Sequence, residues 1–230
     1  MNSKIQVRLS LMMFLEFFIW GSWYVTMGIY LPRTLDSAGS EIAMAYSTQS
    51  WGAIIAPFII GLIADRYFNA ERILGVLHLL GAFFMFQLAY AENFDVFYPY
   101  LLGYMILYMP TLALVNSISF RQMKEPSKEF SFIRVFGTIG WIVAGGTISY
   151  VFHWDSEEAV ANGLLKYTFL MTSIVSFVLG IYSFTLPKTP PKARDHTQIS
   201  ISRILGLDAL KLLNDRNFLI FFFAWIFICI

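Results

Sequence analysis

The chain has 230 residues, of which 57% are hydrophobic and only 13% charged, with 23 phenylalanines and a mean hydropathy of +0.63. Soluble domains carry about 25% charged residues, so this composition excludes an ordinary soluble domain and predicts an all-α polytopic membrane protein. The net charge of +1 offers no footprint for nucleic acid, and one cysteine, Cys229, excludes a disulfide framework and a thiolate metal cluster.

Apolar stretches near 9–30, 42–64, 73–91, 96–119, 132–152 and 164–186 are each long enough for a ~30 Å hydrocarbon core, which predicts six spans. The first is too long for a cleaved signal peptide and lacks a small-residue cleavage pattern before Tyr30. Lys4 and Arg8 precede span one. Arg66 and Arg72 follow span two, Arg121, Lys124 and Lys128 follow span four, and Lys188, Lys192, Arg194, Arg203, Lys211 and Arg216 follow span six. The opposite loops hold Arg33 and Lys166 among Asp36, Glu41, Glu92, Asp95, Asp155, Glu157 and Glu158. The positive-inside rule then puts the N-terminus and the segment 187–217 in the cytoplasm.

In span one, Glu16, Trp20 and Trp23 fall at i, i+4 and i+7, which predicts a carboxyl and two indoles on one helix face. Ionisable groups inside a membrane commonly carry protons, so Glu16 is a candidate for proton coupling; the alternative is a carboxyl bonded to a neighbouring helix or wetted at the interface. Between spans two and three, Gly61-Leu-Ile-Ala-Asp65-Arg66, with Arg72 further on, has the makings of a gating turn; the alternative is ordinary solvated loop charge. In span four, Thr111 and Asn116 flank the proline-bearing stretch at Pro110, and packing across helices is favoured for both over solute contact.

Span five holds the main functional clue. Phe132-Ile-Arg-Val-Phe-Gly-Thr-Ile-Gly-Trp141 places Arg134, Thr138 and Trp141 at i, i+4 and i+7. A guanidinium in hydrocarbon costs at least ~2.5–3.5 kcal/mol and persists where it meets a partner or a wet cleft. A cation, a hydroxyl and an indole on one stripe suit a polar solute with an aromatic ring. The alternative is an arginine snorkelling to the cytoplasmic face. Gly137, Gly140 and Ala144 form a small-residue stripe for close helix packing, not a phosphate cradle. His78, His153 and His196 share no metal spacing, and no catalytic pair is present, so a transporter is expected rather than an enzyme. Most of the phenylalanines and tryptophans are expected to face lipid or the interface.

After span six, Leu186-Pro-Lys-Thr-Pro-Pro-Lys-Ala-Arg-Asp195 cannot continue a helix. Leu205-Gly-Leu-Asp-Ala-Leu-Lys-Leu-Leu213 has the spacing of a short helix at the cytoplasmic interface. An apolar run from Phe218 to Ile230 makes only ~20 Å of helix, too little to span. The expected organisation is a six-helix domain at 1–186, a linker at 187–217 and the start of a seventh helix at 218–230. This is the order of a first half whose partner would be a second six-helix half; a genuine short product or an inactive fragment is the alternative.

These features resemble the major facilitator superfamily, whose members join two six-helix halves by a cytoplasmic loop; the segment from Gly61 to Arg72 is similar to its signature between helices two and three. A closer resemblance is to bacterial nucleoside:proton symporters. It is carried in order by Trp20-Gly-Ser-Trp23, Tyr108-Met-Pro-Thr-Leu112 with Asn116 and Ile118-Ser119, Ile133-Arg134 with Gly137-Thr138-Ile139-Gly140, and Leu205-Gly-Leu-Asp-Ala209. The resemblance implies nucleoside uptake by proton symport with no cofactor beyond the proton gradient. It assigns Arg134, Thr138 and Trp141 to the nucleoside, with Trp141 where the best-known permeases have phenylalanine. It also allows an amide near the position of Glu16, which weighs against an essential proton role there. A facilitator for a sugar or drug is the rival reading.

Overall fold

A computed structural model of the chain describes residues 2–59, 68–191, 212 and 214–229, and every regular element among them is helical. The first span is two helices, α1 (Ser3–Gly21) and α2 (Tyr24–Thr34). Asn2 caps α1 by accepting from the Lys4 N–H at 3.0 Å. The break lies at Ser22-Trp23. The Ser22 hydroxyl donates back to the Phe18 carbonyl at 2.6 Å, a bond that bends helices, and Trp23 leaves the helical region at φ −136°.

The other elements are α3 (Gly39–Ile59), α4 (Ala70–Leu88), α5 (Phe94–Gln122) and α6 (Pro126–Gly146). A π-helical segment, Thr147–Phe152, follows α6, and then come α7 (Glu157–Ala161), α8 (Lys166–Ser183) and α9 (Arg216–Cys229). The π segment ends where His153 turns left-handed at φ 53°. Asp215 caps α9 by accepting from the Asn217 and Phe218 N–H groups, so this helix starts two residues before the apolar run does.

Five of these spans are long and apolar enough to cross a bilayer: α1 with α2, α4, α5, α6 with its π segment, and α8. The sequence predicts six. The sixth, predicted at 42–64, is α3; its last residues lie outside the described ones, and its described part, diluted by the polar run Ser47-Thr-Gln-Ser50, falls short by composition. It packs on α5 all the same.

Helix α1 sits centrally, against α6 on one side and α8 and α5 on the other, while α4 packs on α5 and α8. The two tightest glycine contacts are against backbone. A Cβ at Gly140 would collide with the Phe14 carbonyl oxygen of α1, and a Cβ at Gly52 of α3 would collide with the Met105 carbonyl of α5. The stripe Gly137, Gly140 and Ala144 is therefore a helix–helix seam, buried against α1 as its small residues require.

The interior is rich in aromatics: Trp23, Tyr30, Phe97, Tyr104, Tyr108 and Phe169 are each 2% exposed or less. Trp20 and Trp141 are half-buried as well. Trp51, Phe68, Phe86 and Phe132 are exposed, so the expected outward facing holds for Trp51 and many phenylalanines but not for these inner tryptophans. The outward apolar stripe is carried instead by residues such as Val76, Leu80 and Phe83 on α4 and Ile174, Phe177 and Ile181 on α8.

The start of the proline-rich break is anchored. Glu71, buried at the head of α4, accepts from the Thr189 N–H at 2.8 Å and from Asn69 Nδ2 at 2.9 Å. The Ala70 N–H in turn donates to the Thr189 carbonyl at 3.0 Å. The predicted interfacial helix at 205–213 lies outside the described residues, apart from Leu212.

Candidate solute-binding face and buried Glu16–His78 pair

Helix α6 begins at Pro126, so Arg134 stands about two turns inside it. Its guanidinium lies over the Phe17 ring of α1, 4.1 Å from the centroid, and folds along Gly137. Arg134 is half-buried, yet among the described residues it makes no hydrogen bond or ion pair, so its five N–H donors are uncommitted.

Thr138 lies one turn on and is exposed. Most intrahelical threonines here return their hydroxyl to their own helix, as Thr147 does to Val143 and Thr172 to Thr168. Thr138 makes no such bond among the described residues, which leaves a donor and acceptor free. One turn further, Trp141 meets Trp20 edge-on with centroids 5.6 Å apart, and Tyr24 at 6.5 Å. The three residues thus share a face of α6 beside the Phe17 and Trp20 side of α1.

Trp20 extends this face into an aromatic cluster. Its ring contacts Phe17, Tyr24 and Tyr108, and Tyr24 contacts Tyr46 of α3. The Tyr24 hydroxyl donates to Gln49 Oε1 at 2.6 Å, and the Tyr46 hydroxyl donates to the Tyr24 carbonyl at 3.1 Å. The Trp20 indole N–H is buried with no acceptor among the described residues. Sequence reasoning missed Tyr24, Tyr46 and Gln49; the polar run in α3 was the available signal.

Glu16, Trp20 and Trp23 all meet α5, at Thr111, Tyr108 and Tyr104 in turn, although the helix breaks before Trp23. Trp23 also touches Tyr24 and Phe169, which carries the aromatic cluster on into the core. Glu16 turns from the α6 side into the bundle. It is fully buried, with Oε2 2.8 Å from Nε2 of His78 on α4 and Oε1 2.6 Å from the Thr111 hydroxyl on α5. The Tyr108 hydroxyl donates to the Glu16 backbone carbonyl at 2.8 Å.

Sequence reasoning gives His78 no role, because it lacks metal-ligand spacing. Its position inside a span was the signal, since an intramembrane ionisable group calls for a partner. Thr111 bonds across helices as expected. Asn116 is half-buried and its Oδ1 has no partner, so the bond expected of it is not made through that oxygen. Gly61, Asp65 and Arg66 lie outside the described residues, and Arg72 is exposed near the head of α4.

Helices long and apolar enough to cross a bilayer, with an uncommitted cation, a free hydroxyl and two indoles meeting edge-on along one helix face, have the make-up of a membrane domain that binds a small solute. The family model for nucleoside H+ symporters matches residues 3–230, and the chain belongs to that family. It is 42% identical over 224 residues to the putative nucleoside transporter YegT of Escherichia coli K12, covering 96% of this chain and 51% of that one. It is 38% identical to the xanthosine permease of the same organism, covering 95% and 51%. The crystal structure of a point mutant of the nucleoside transporter NupG superposes with a TM-score of 0.82 at 30% identity, covering 95% of this chain and 53% of that one. The chain spans about half the length of the curated relatives it matches. The match to NupG bears out the fold read from the sequence, the N-terminal half of a nucleoside transporter of the major facilitator type.

Proposed function

We propose that the protein to which this chain belongs takes up nucleosides by proton symport. Arg134 donates to the nucleoside, the Thr138 hydroxyl bonds it, and Trp141 stacks on the base. The carrying observation is Arg134: a half-buried membrane guanidinium beside a free hydroxyl and an indole, with no protein acceptor among the described residues. Aromatic surface with a few convergent polar groups is the usual make-up of such a site.

In this reading residues 1–186 form the six-helix N-domain and 187–217 a cytoplasmic linker, and 218–230 begin helix seven of a second half. The two halves rock about a solute held between them, by analogy with other repeat transporters. The N-terminus is cytoplasmic, the membrane is the inner one, and the segment carrying Gly61, Asp65, Arg66 and Arg72 latches one state. The proton gradient is the only driving agent required.

The test is uptake of labelled uridine by cells that lack their own nucleoside transporters and express the full reading frame. Unlabelled nucleosides compete and sugars do not, and a protonophore abolishes accumulation. Competition by sugars alone would replace the solute class. Accumulation that survives the protonophore would remove symport.

A further inference from the structure

Glu16 and His78 lie inside the bundle at 0% and 2% exposure, on helices α1 and α4, and their side chains meet at 2.8 Å. Their hydrogen bonds run to each other and to α5, away from the Arg134 face on α6. A buried ionic pair often serves only to hold helices in register. This one has a further property: every contact it makes can be satisfied in two protonation states.

Without an extra proton, the Glu16 carboxylate accepts at Oε2 from the Nε2–H of a neutral imidazole and at Oε1 from the Thr111 hydroxyl. One added proton can take His78 Nδ1, giving imidazolium against carboxylate. It can equally reside on the carboxyl, which then donates to Nε2 of the other imidazole tautomer or to the Thr111 oxygen. In that last arrangement the Thr111 hydroxyl turns to the Tyr108 carbonyl, 2.5 Å from its oxygen. The pair passes from a net charge of −1 to 0 with no donor or acceptor stranded at the Glu16–His78 and Glu16–Thr111 contacts.

We propose that Glu16 and His78 together are the proton-carrying site of this half, an inference that rests on the symport reading above. The titratable neighbours are Tyr108, whose ring lies 6.2 Å from His78, and Tyr104, whose ring stacks on Tyr108 at 5.4 Å. Helix α8 presents neutral Ser176 beside Tyr104, and on α6 Arg134 lies against Phe17, next along from Glu16. Among the described residues, neither member of the pair makes any other ion pair.

The site is also in contact with the solute face. Tyr108 holds the Glu16 carbonyl, its ring lies 6.0 Å from Trp20, and Trp20 lies 5.6 Å from Trp141. A change at Thr111 acts on α5 beside Pro110, where the helix already lacks one backbone N–H. A proton and a solute can thus bias the same α1–α5–α6 contacts.

The experiment compares Glu16→Gln and His78→Gln with the unsubstituted protein, expressed from the full reading frame. The amide introduced by Glu16→Gln can still accept from Thr111 and donate to Nε2. Two readouts are taken. One is uridine accumulation with its accompanying proton uptake; the other is exchange of labelled for unlabelled uridine at equal concentrations, which moves no net proton. The expected result is loss of accumulation, worth up to roughly 50-fold per 100 mV for one proton, and loss of proton uptake, with exchange retained at the same order of magnitude. Accumulation and proton uptake that persist in Glu16→Gln would overturn the proposal. Exchange and accumulation lost together in inserted protein would also overturn it, making the pair structural. If the unsubstituted protein itself accumulates uridine without proton movement, the symport reading fails and this one falls with it.

Discussion

Trp141 of α6 and Trp20 of α1 stand edge to face, with centroids 5.6 Å apart and planes at 78°. In such a pair one ring spends only its edge on the other, so aromatic surface stays available at the seam where Arg134 and Thr138 also lie. The seam exists because Gly140 lets the α6 backbone reach the Phe14 carbonyl. Close packing and solute chemistry therefore occupy adjacent faces of one helix.

Stacking predicts a graded series at position 141. Trp141→Phe keeps an aromatic face and costs little. Trp141→Ala removes base stacking worth about 1–3 kcal/mol, or roughly 5- to 150-fold in affinity. Competition binding of nucleosides to the purified full-length protein measures both. Equal weakening by the two substitutions would place the base elsewhere.

The α1–α6 seam predicts opposite outcomes for two glycines five residues apart in α6. Gly140→Ala drives a methyl into α1 backbone and should cost about 1–3 kcal/mol. Gly145→Ala meets nothing within 4 Å and should be neutral or stabilise by up to about 1 kcal/mol through helix propensity. Thermal unfolding in detergent reads the difference directly. A stable Gly140→Ala protein would mean that the helices do not approach this closely.

Glu71 predicts a local effect at the start of the linker. Glu71→Ala leaves the Thr189 N–H without its acceptor, at a cost of about 1–3 kcal/mol. Limited proteolysis should then cut near Pro190 sooner than in the unsubstituted protein. An unchanged cleavage rate would show that the Ala70–Thr189 backbone bond suffices to hold the segment.

Much of the fold is legible in the sequence because span location depends on local hydropathy. The Arg134, Thr138 and Trp141 stripe is legible because α6 is regular across those residues. Trp23 keeps its place on the α5 side with Glu16 and Trp20, although the Ser22 back-bond interrupts the helix that a helical wheel presumes continuous. The polar middle of α3 dilutes its described part, and Tyr46 and Gln49 in that stretch are what bring the helix to the aromatic cluster. The partner of Glu16 is hidden by distance in the chain: 62 residues separate it from His78. Spacing rules for metal ligands say nothing about a proton shared between two helices.

The most direct measurement is uridine uptake by Arg134→Ala, expressed from the full reading frame beside the unsubstituted protein, with membrane insertion followed in parallel. The account predicts uptake reduced to background with insertion intact, because among the described residues no other cation on that face replaces the guanidinium. Normal uptake by Arg134→Ala would contradict it and remove the arginine, and the face built around it, from the solute site.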